Sequence, residues 1–268
     1  MSMRLRAQVY SVPKDPESPH EWEDAAAFSE RHGRFAVCDG AAAAYRAGDW
    51  ARALADAYVN DFPAPDAAAT VDTRARQLAG WFRTQTEAWR AAQPPAKAWY
   101  HEDATAAGSA AAFLGLQITR PPVDRLTDQS SDEVEWEAVA VGDCCLFHLR
   151  AGQLRRSFPI TSASDFNRRP DLVPTAETRL ERGLARLRTA RGFARPGDAF
   201  VLASDAMSES MLAAADADPR LWSWIGFYGP EAFVNLIIDL RSNGAIRVDD
   251  VTLMIVQLGA DQTWRDLW

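Results

Sequence analysis

The stretch DAFVLASDAMSE, residues 198–209, is an apolar run that stops at an aspartate. Residues 198–204 read as a buried strand and residues 206–215 as a helix, with Asp205 at the junction. The same punctuation recurs along the chain. GRFAVC (33–38) runs into Asp39-Gly40, a turn signal. Val134, Trp136 and Ala138 alternate with polar residues and lead to Gly142-Asp143, after which 144–150 continue as a strand. Ala151-Gly152 then turns the chain into a hairpin arm, 153–158. Asp249-Asp250 stand immediately before a last apolar run, 251–258, and Glu23-Asp24 stand near the start of the chain.

Between these points the periodicity changes. Residues 4–12 alternate as a first strand, and 109–119 form a buried one. Trp50, Leu54, Tyr58 and Val59 recur at helical spacing, as do Leu78, Trp81, Phe82 and Trp89. This predicts two consecutive amphipathic helices, the second capped near Asp72-Thr73, with the Pro63/Pro65 loop between them. Residues 120–133 read as a loop, 175–190 as an exposed amphipathic helix through Leu180, Leu184 and Leu187, and 230–241 as another helix. Strands come in hairpins with helices between groups, not as βαβ units. The expectation is an α+β fold with two mostly antiparallel sheets covered by helices.

Composition narrows the function. The 268 residues, 47% of them hydrophobic, suffice for a sizeable core, and with no Gly/Ser- or Pro-rich linker the reading is a single domain over 1–268. A formal net charge of −8 argues against nucleic acid or an anionic membrane as a partner. Three cysteines make no disulfide framework, and no run reaches signal-peptide or membrane-spanning length, so a cytoplasmic monomer is expected. Ten tryptophans are read as packing anchors.

One carboxylate at a strand end is commonly a turn residue. Glu23-Asp24, Asp39, Asp143, Asp205 and Asp249-Asp250 at strand ends form a different pattern, because strands of one sheet end on a common edge. Converging carboxylates raise one another's pKa unless a cation lies among them. Hard divalent ions such as Mg²⁺ and Mn²⁺ prefer such oxygen ligands, and a pair of them about 3.5–4 Å apart suits attack of water on a phosphate ester.

Six motifs in order, EDAAAF (23–28), FAVCDGAAA (35–43), AGSAAAFLGL (107–116), VAVGDCCLFHLRAGQL (139–154), FVLASDAMSE (200–209) and VDDVTLMIVQL (248–258), resemble those of the protein phosphatase 2C family across nearly the whole chain. The resemblance implies a four-layer α-β-β-α sandwich with metals at one end of the two sheets. It implies hydrolysis of phosphoserine and phosphothreonine by water activated between two Mn²⁺ or Mg²⁺ ions, without a covalent intermediate. Carried over by position, Asp39 bridges the ions and Asp205 and Asp249 complete one site. Glu23 and the Gly40 carbonyl help hold the second, and Asp143 with Asp205 supports a weaker third. Asp39 and Asp205 are then the catalytic pair. The implied partners are a phosphorylated protein and an antagonist Ser/Thr kinase.

The sequence also departs from the family pattern. Pro19 stands where many relatives carry a phosphate-gripping Arg, leaving Lys14 and His20 as candidates for that contact, neither of them a guanidinium fork. Ala41 replaces a His found in some relatives, Ala206 replaces the Gly after Ser-Asp, and PITSASDFNRRP (159–170) lacks the Asp-His pair of bacterial relatives. The rival reading from these losses is a pseudophosphatase that binds phosphoproteins without turnover. A second rival, the Cys-x5-Arg spacing of 144–150, lacks the glycine-rich phosphate loop that a cysteine phosphatase needs. His148 reads as a structural histidine, and His101-Glu102-Asp103 as a loop cap. Arginines 179, 182, 186 and 188 read as a solvated helix face with Glu177 and Glu181.

Overall fold

The computed structural model describes residues 4–18, 21–42, 44–64, 70–93, 107–119, 133–167, 169–225 and 229–259. Residues 120–132 of the expected loop 120–133, His101-Glu102-Asp103, Pro19 and His20 lie outside them.

Two antiparallel sheets carry the fold. One has the order β1 (Arg4–Val12), β11 (Val251–Gly259), β10 (Asp198–Ala203), β6 (Cys145–Arg150), β7 (Gln153–Phe158). The other runs β2 (Asp24–Ser29), β3 (Arg34–Gly40), β4 (Ala110–Thr119), β5 (Val134–Val141), β9 (Arg188–Ala194), with the short β8 (Val173–Pro174) on β4. Strand alternation sends one set of side chains between the sheets: Phe35, Val37, Leu114, Leu116, Phe200, Leu202, Met254 and Val256 share a single buried cluster. The opposite faces need helices to cover them.

On the β2–β9 sheet that cover is α1 (Ala47–Asp61) and α2 (Val71–Ala92), with α3 (Glu177–Leu184) beside them. Trp50, Leu54 and Tyr58 recur every fourth residue and are at most 1% exposed, each worth roughly 1.5–3 kcal/mol of burial. Trp50 Nε1 also donates to the Val173 carbonyl at 2.9 Å, which ties β8 to the helix. The cap of α2 is Thr70, whose hydroxyl accepts from the Thr73 amide, two residues before the expected position. On the other sheet lie α4 (Asp205–Ala217), α5 (Leu221–Trp224) and α6 (Pro230–Ser242), burying Met207, Met211, Phe233 and Ile237 against Phe147, Val201 and Leu253. The layers are therefore α-β-β-α, as expected.

The expected helix over 175–190 stops at Leu184. Residues 188–194 instead pair with β5, Glu137 lying opposite Arg191. The physical reason is a buried charge. Glu137 is 3% exposed and needs cations, and the strand supplies Arg191, whose Nε reaches it at 2.9 Å from one side. Arg74 of α2 meets it from the other, with Nε at 3.0 Å. Arg186 and Arg188 thus lie off the helix. Glu177 and Glu181 pair across to Arg90 and Arg83 of α2.

Candidate metal centre

Strand direction brings the acidic residues together. The end of β3 (Asp39-Gly40), the start of β2 (Asp24), the turn after β5 (Asp143), the end of β10 (Asp205) and the lead-in to β11 (Asp249) all lie at the same end of the two sheets. Asp24 sits directly opposite Asp39 in the β2–β3 register, so both project from one face.

The backbone around them is tightly fixed. A Cβ on Gly40 would stand 2.6 Å from the carbonyl carbon of Ala47, and one on Gly48 2.3 Å from the Trp22 oxygen. Only glycine lets the first turn of α1 close over Gly40 and Glu23. The Asp250 carboxylate accepts from the Lys14 amide at 2.7 Å and the Glu23 amide at 2.8 Å. Arg241 of α6 donates to the carbonyls of Pro13 at 2.9 Å and Asp249 at 2.6 Å. Three chain segments are thereby pinned to one another beneath the acidic cluster.

The electrostatics are those of crowded carboxylates. Burial raises the pKa of Asp24 to about 8, with Asp250 and Asp205 adding to the rise. Neither Asp24 oxygen has a partner at hydrogen-bonding geometry, although the Thr252 and Ser204 hydroxyls are near enough to offset part of that rise. Asp39 is held well above the carboxylate range by burial, then by Asp24, Asp205, Asp143 and Asp249. Burial and Asp205 push Asp143 up to about 7, and its Oδ1 is buried without a partner. Asp249 is raised by burial and by Asp205. Mutual repulsion among hard oxygen donors, with buried lone pairs left over, fits a divalent cation. As they stand, no three His, Cys, Asp or Glu side chains among the described residues are gathered tightly enough to ligate one ion. A guanidinium is among them instead: Arg247 Nη2 contacts Asp205 Oδ2 directly, and its Nε lies 3.8 Å from Asp249 Oδ2.

The remaining sequence-derived candidates fall as follows. Glu23 immediately precedes β2, and its Oε2 accepts from Lys14 Nζ at 2.6 Å, so this candidate phosphate contact is already in an ion pair. That pair lines a cavity of about 410 Å³ with Arg46 and Asp49. A second cavity of about 390 Å³ has Asp143 on one wall and Arg186 and Arg188 on another. Cys144 is fully buried, and burial raises its thiol pKa well above the usual value, so it is no nucleophile. His148 is a structural residue: its Nε2 lies 2.9 Å from Asp198, which also accepts from Arg150. Asp24, which the sequence places with Glu23 among the strand-end acids but not among the metal ligands, is brought opposite Asp39 by pleat parity. Arg247 is the site residue that sequence reasoning misses, because it carries no local sequence signal.

This arrangement has counterparts among solved structures. PppA, described as a key regulatory component of T6SS in Pseudomonas aeruginosa, superposes with a TM-score of 0.56 at 20% identity, covering 96% of this chain and 100% of that one. The chain has the protein phosphatase 2C fold. The catalytic domain of the serine/threonine protein phosphatase PstP, solved with two manganese ions, gives a TM-score of 0.52 at 17% identity, covering 97% of this chain and all of that one. A bacterial serine phosphatase gives 0.59 at 13% identity, with 96% and 99% covered. No family profile and no curated protein matches the chain by sequence.

Proposed function

We propose that the protein is a metal-dependent phosphatase acting on phosphoserine and phosphothreonine in proteins. The observation that carries this reading is the cluster of Asp24, Asp39, Asp143, Asp205 and Asp249 at one end of a phosphatase 2C sandwich, with Asp24, Asp39, Asp143 and Asp249 raised first by burial and further by a carboxylate neighbour. A phosphatase of this fold with two bound manganese ions supports the same centre.

In this reading Asp39 would be shared by two Mn²⁺ or Mg²⁺ ions. Asp205 and Asp249 would hold one, the Gly40 carbonyl and Glu23 the other, and Asp143 with Asp205 a weaker third. Bound, the ions supply charge neutralisation for the phosphoryl group and a more acidic water. The chain's own residues do the rest. Gly40 and Gly48 let α1 close against Glu23, which fixes the carbonyl of Gly40. Asp250 and Arg241 hold the backbone at Glu23 and Asp249 in place, which limits reorganisation when charge develops. Asp24 stands opposite Asp39, and its ionisation would become favourable only with a cation nearby. Ala41 has no proton to give, so no side chain at this position protonates the leaving oxygen. Lys14, paired with Glu23, is one candidate for the contact that the missing phosphate Arg at position 19 would make. His20 is the other candidate. One domain over 1–268, acting as a monomer in a reducing cytoplasm, agrees with three free, buried cysteines. An antagonist kinase would supply the phosphorylated substrate.

The test is turnover of phosphoserine and phosphothreonine peptides with Mn²⁺ and with EDTA. Mn²⁺-dependent release of phosphate is expected, with a high KM because the guanidinium fork at position 19 is lost. The second reading, a phosphoprotein-binding module without turnover, is favoured by Pro19 and by Arg247 lying on Asp205. Binding of the same peptides with no phosphate released at saturating Mn²⁺ would select it.

A further inference from the structure

Arg247 is the one feature of the centre that neither the sequence motifs nor the proposed chemistry uses. It lies in the 243–250 lead-in to β11, between the exposed Ala245 and Val248. Its guanidinium contacts Asp205 and lies 3.8 Å from Asp249 and 3.7 Å from Glu209. Its Nε is buried without a hydrogen-bond partner, whereas the side chain as a whole is 36% exposed. The contact to Asp205 is made through Nη2, and the side chain stays partly open to solvent. The backbone on either side is not free to follow, because Arg241 grips the Asp249 carbonyl at 2.6 Å.

We propose that Arg247 is an internal cation of the metal-free centre: it neutralises Asp205 and Asp249 until a divalent ion takes those carboxylates, and metal loading includes the swing of its side chain toward solvent. This rests on the metal reading above. Three observations carry it. Two of the three carboxylates that Arg247 approaches, Asp205 and Asp249, are those assigned to one ion. No three acidic side chains among the described residues are gathered for an ion while the guanidinium is among them. A +1 group next to a +2 ion in a partly buried site repels it, so the two compete for the same oxygens. The consequence is competition, in which Arg247 sets the metal concentration at which the centre fills.

The experiment is Mn²⁺ titration calorimetry on the full chain and on Arg247→Met, with circular dichroism to confirm folding. Arg247→Met removes the competing charge while keeping an unbranched apolar stem, and Mn²⁺ should bind on the order of ten-fold more tightly. Arg247→Lys keeps the charge and should stay within about two-fold of the parent. If Arg247→Met does not fold, the parent itself answers through the ¹⁵Nε–¹H signal of Arg247 during Mg²⁺ titration. That signal should move and sharpen as the site fills. Unchanged or weaker Mn²⁺ affinity in folded Arg247→Met, or a fixed Nε signal while Mg²⁺ binds, overturns the inference and leaves the metal reading standing. No metal binding by parent or variant overturns both.

Discussion

Replacing Asp24 with asparagine should make the metal-free protein more stable, and increasingly so as the pH rises. Asp24 is 1% exposed and its folded pKa is about 8 against an ordinary 3.8. A carboxyl whose pKa is raised by folding contributes stability below its unfolded pKa, and that contribution is lost as pH rises through the folded value. From pH 3.8 to 8 the folded chain holds a proton that the unfolded chain releases. At about 1.4 kcal/mol per pH unit, that proton costs about 4 kcal/mol at pH 7 and under about 2 at pH 5. Asparagine carries no such cost. It does place an amide among few partners, a penalty of about 1–3 kcal/mol that does not depend on pH. The net expectation is a gain of about 1–3 kcal/mol at pH 7 that shrinks to nothing or reverses at pH 5. Urea denaturation in EDTA at pH 5, 6, 7 and 8, followed by tryptophan fluorescence, measures it. Saturating Mn²⁺ should abolish the advantage, because the cation then favours the ionised cluster. A difference between variant and parent that is flat from pH 5 to 8, or a loss that deepens with pH, would refute the account of Asp24 as a buried member of a charge-crowded centre.

Asp39→Asn should fold normally and lose most Mn²⁺ binding by calorimetry, since Asp39 faces Asp24, Asp143, Asp205 and Asp249 together; equal binding by variant and parent would remove its bridging role. Asp205→Asn should lower kcat on the order of 10²-fold or more, and EDTA should remove nearly all turnover. Cys144→Ser should keep most activity, because that thiol is buried packing; an EDTA-resistant enzyme killed by Cys144→Ser would reverse the assignment. Arg74→Met leaves buried Glu137 with Arg191 alone, and thermal or urea unfolding should show a loss of roughly 3–5 kcal/mol.

What the sequence made legible is what repeats locally. Strands 4–12, 198–203 and 251–259 follow from alternation or from apolar runs bounded by turn residues, and Trp50, Leu54 and Tyr58 declare their helix by spacing alone. The run at 188–194 was misread because Leu180, Leu184 and Leu187 continue a helical period past the true end at Leu184. What makes RTARGFA a strand is not in its own pattern but in Glu137, some fifty positions earlier in the chain, which needs a cation across the ladder. The carboxylates were legible as a set because each stands at one or the other end of a strand. Their order of intimacy was not. Glu23 and Asp24 are adjacent in sequence, yet the structure directs them differently: Asp24 begins β2 opposite Asp39, and Glu23 meets Lys14. Deciding between them requires the β2–β3 register, a nonlocal quantity that a one-residue slip would invert. Arg247 depends on more still, on where the lead-in to β11 lies beside the first turn of α4. A cation reaching an acidic centre from another segment leaves no trace in spacing, and the same three-dimensional convergence that assembles the candidate centre also admits its competitor.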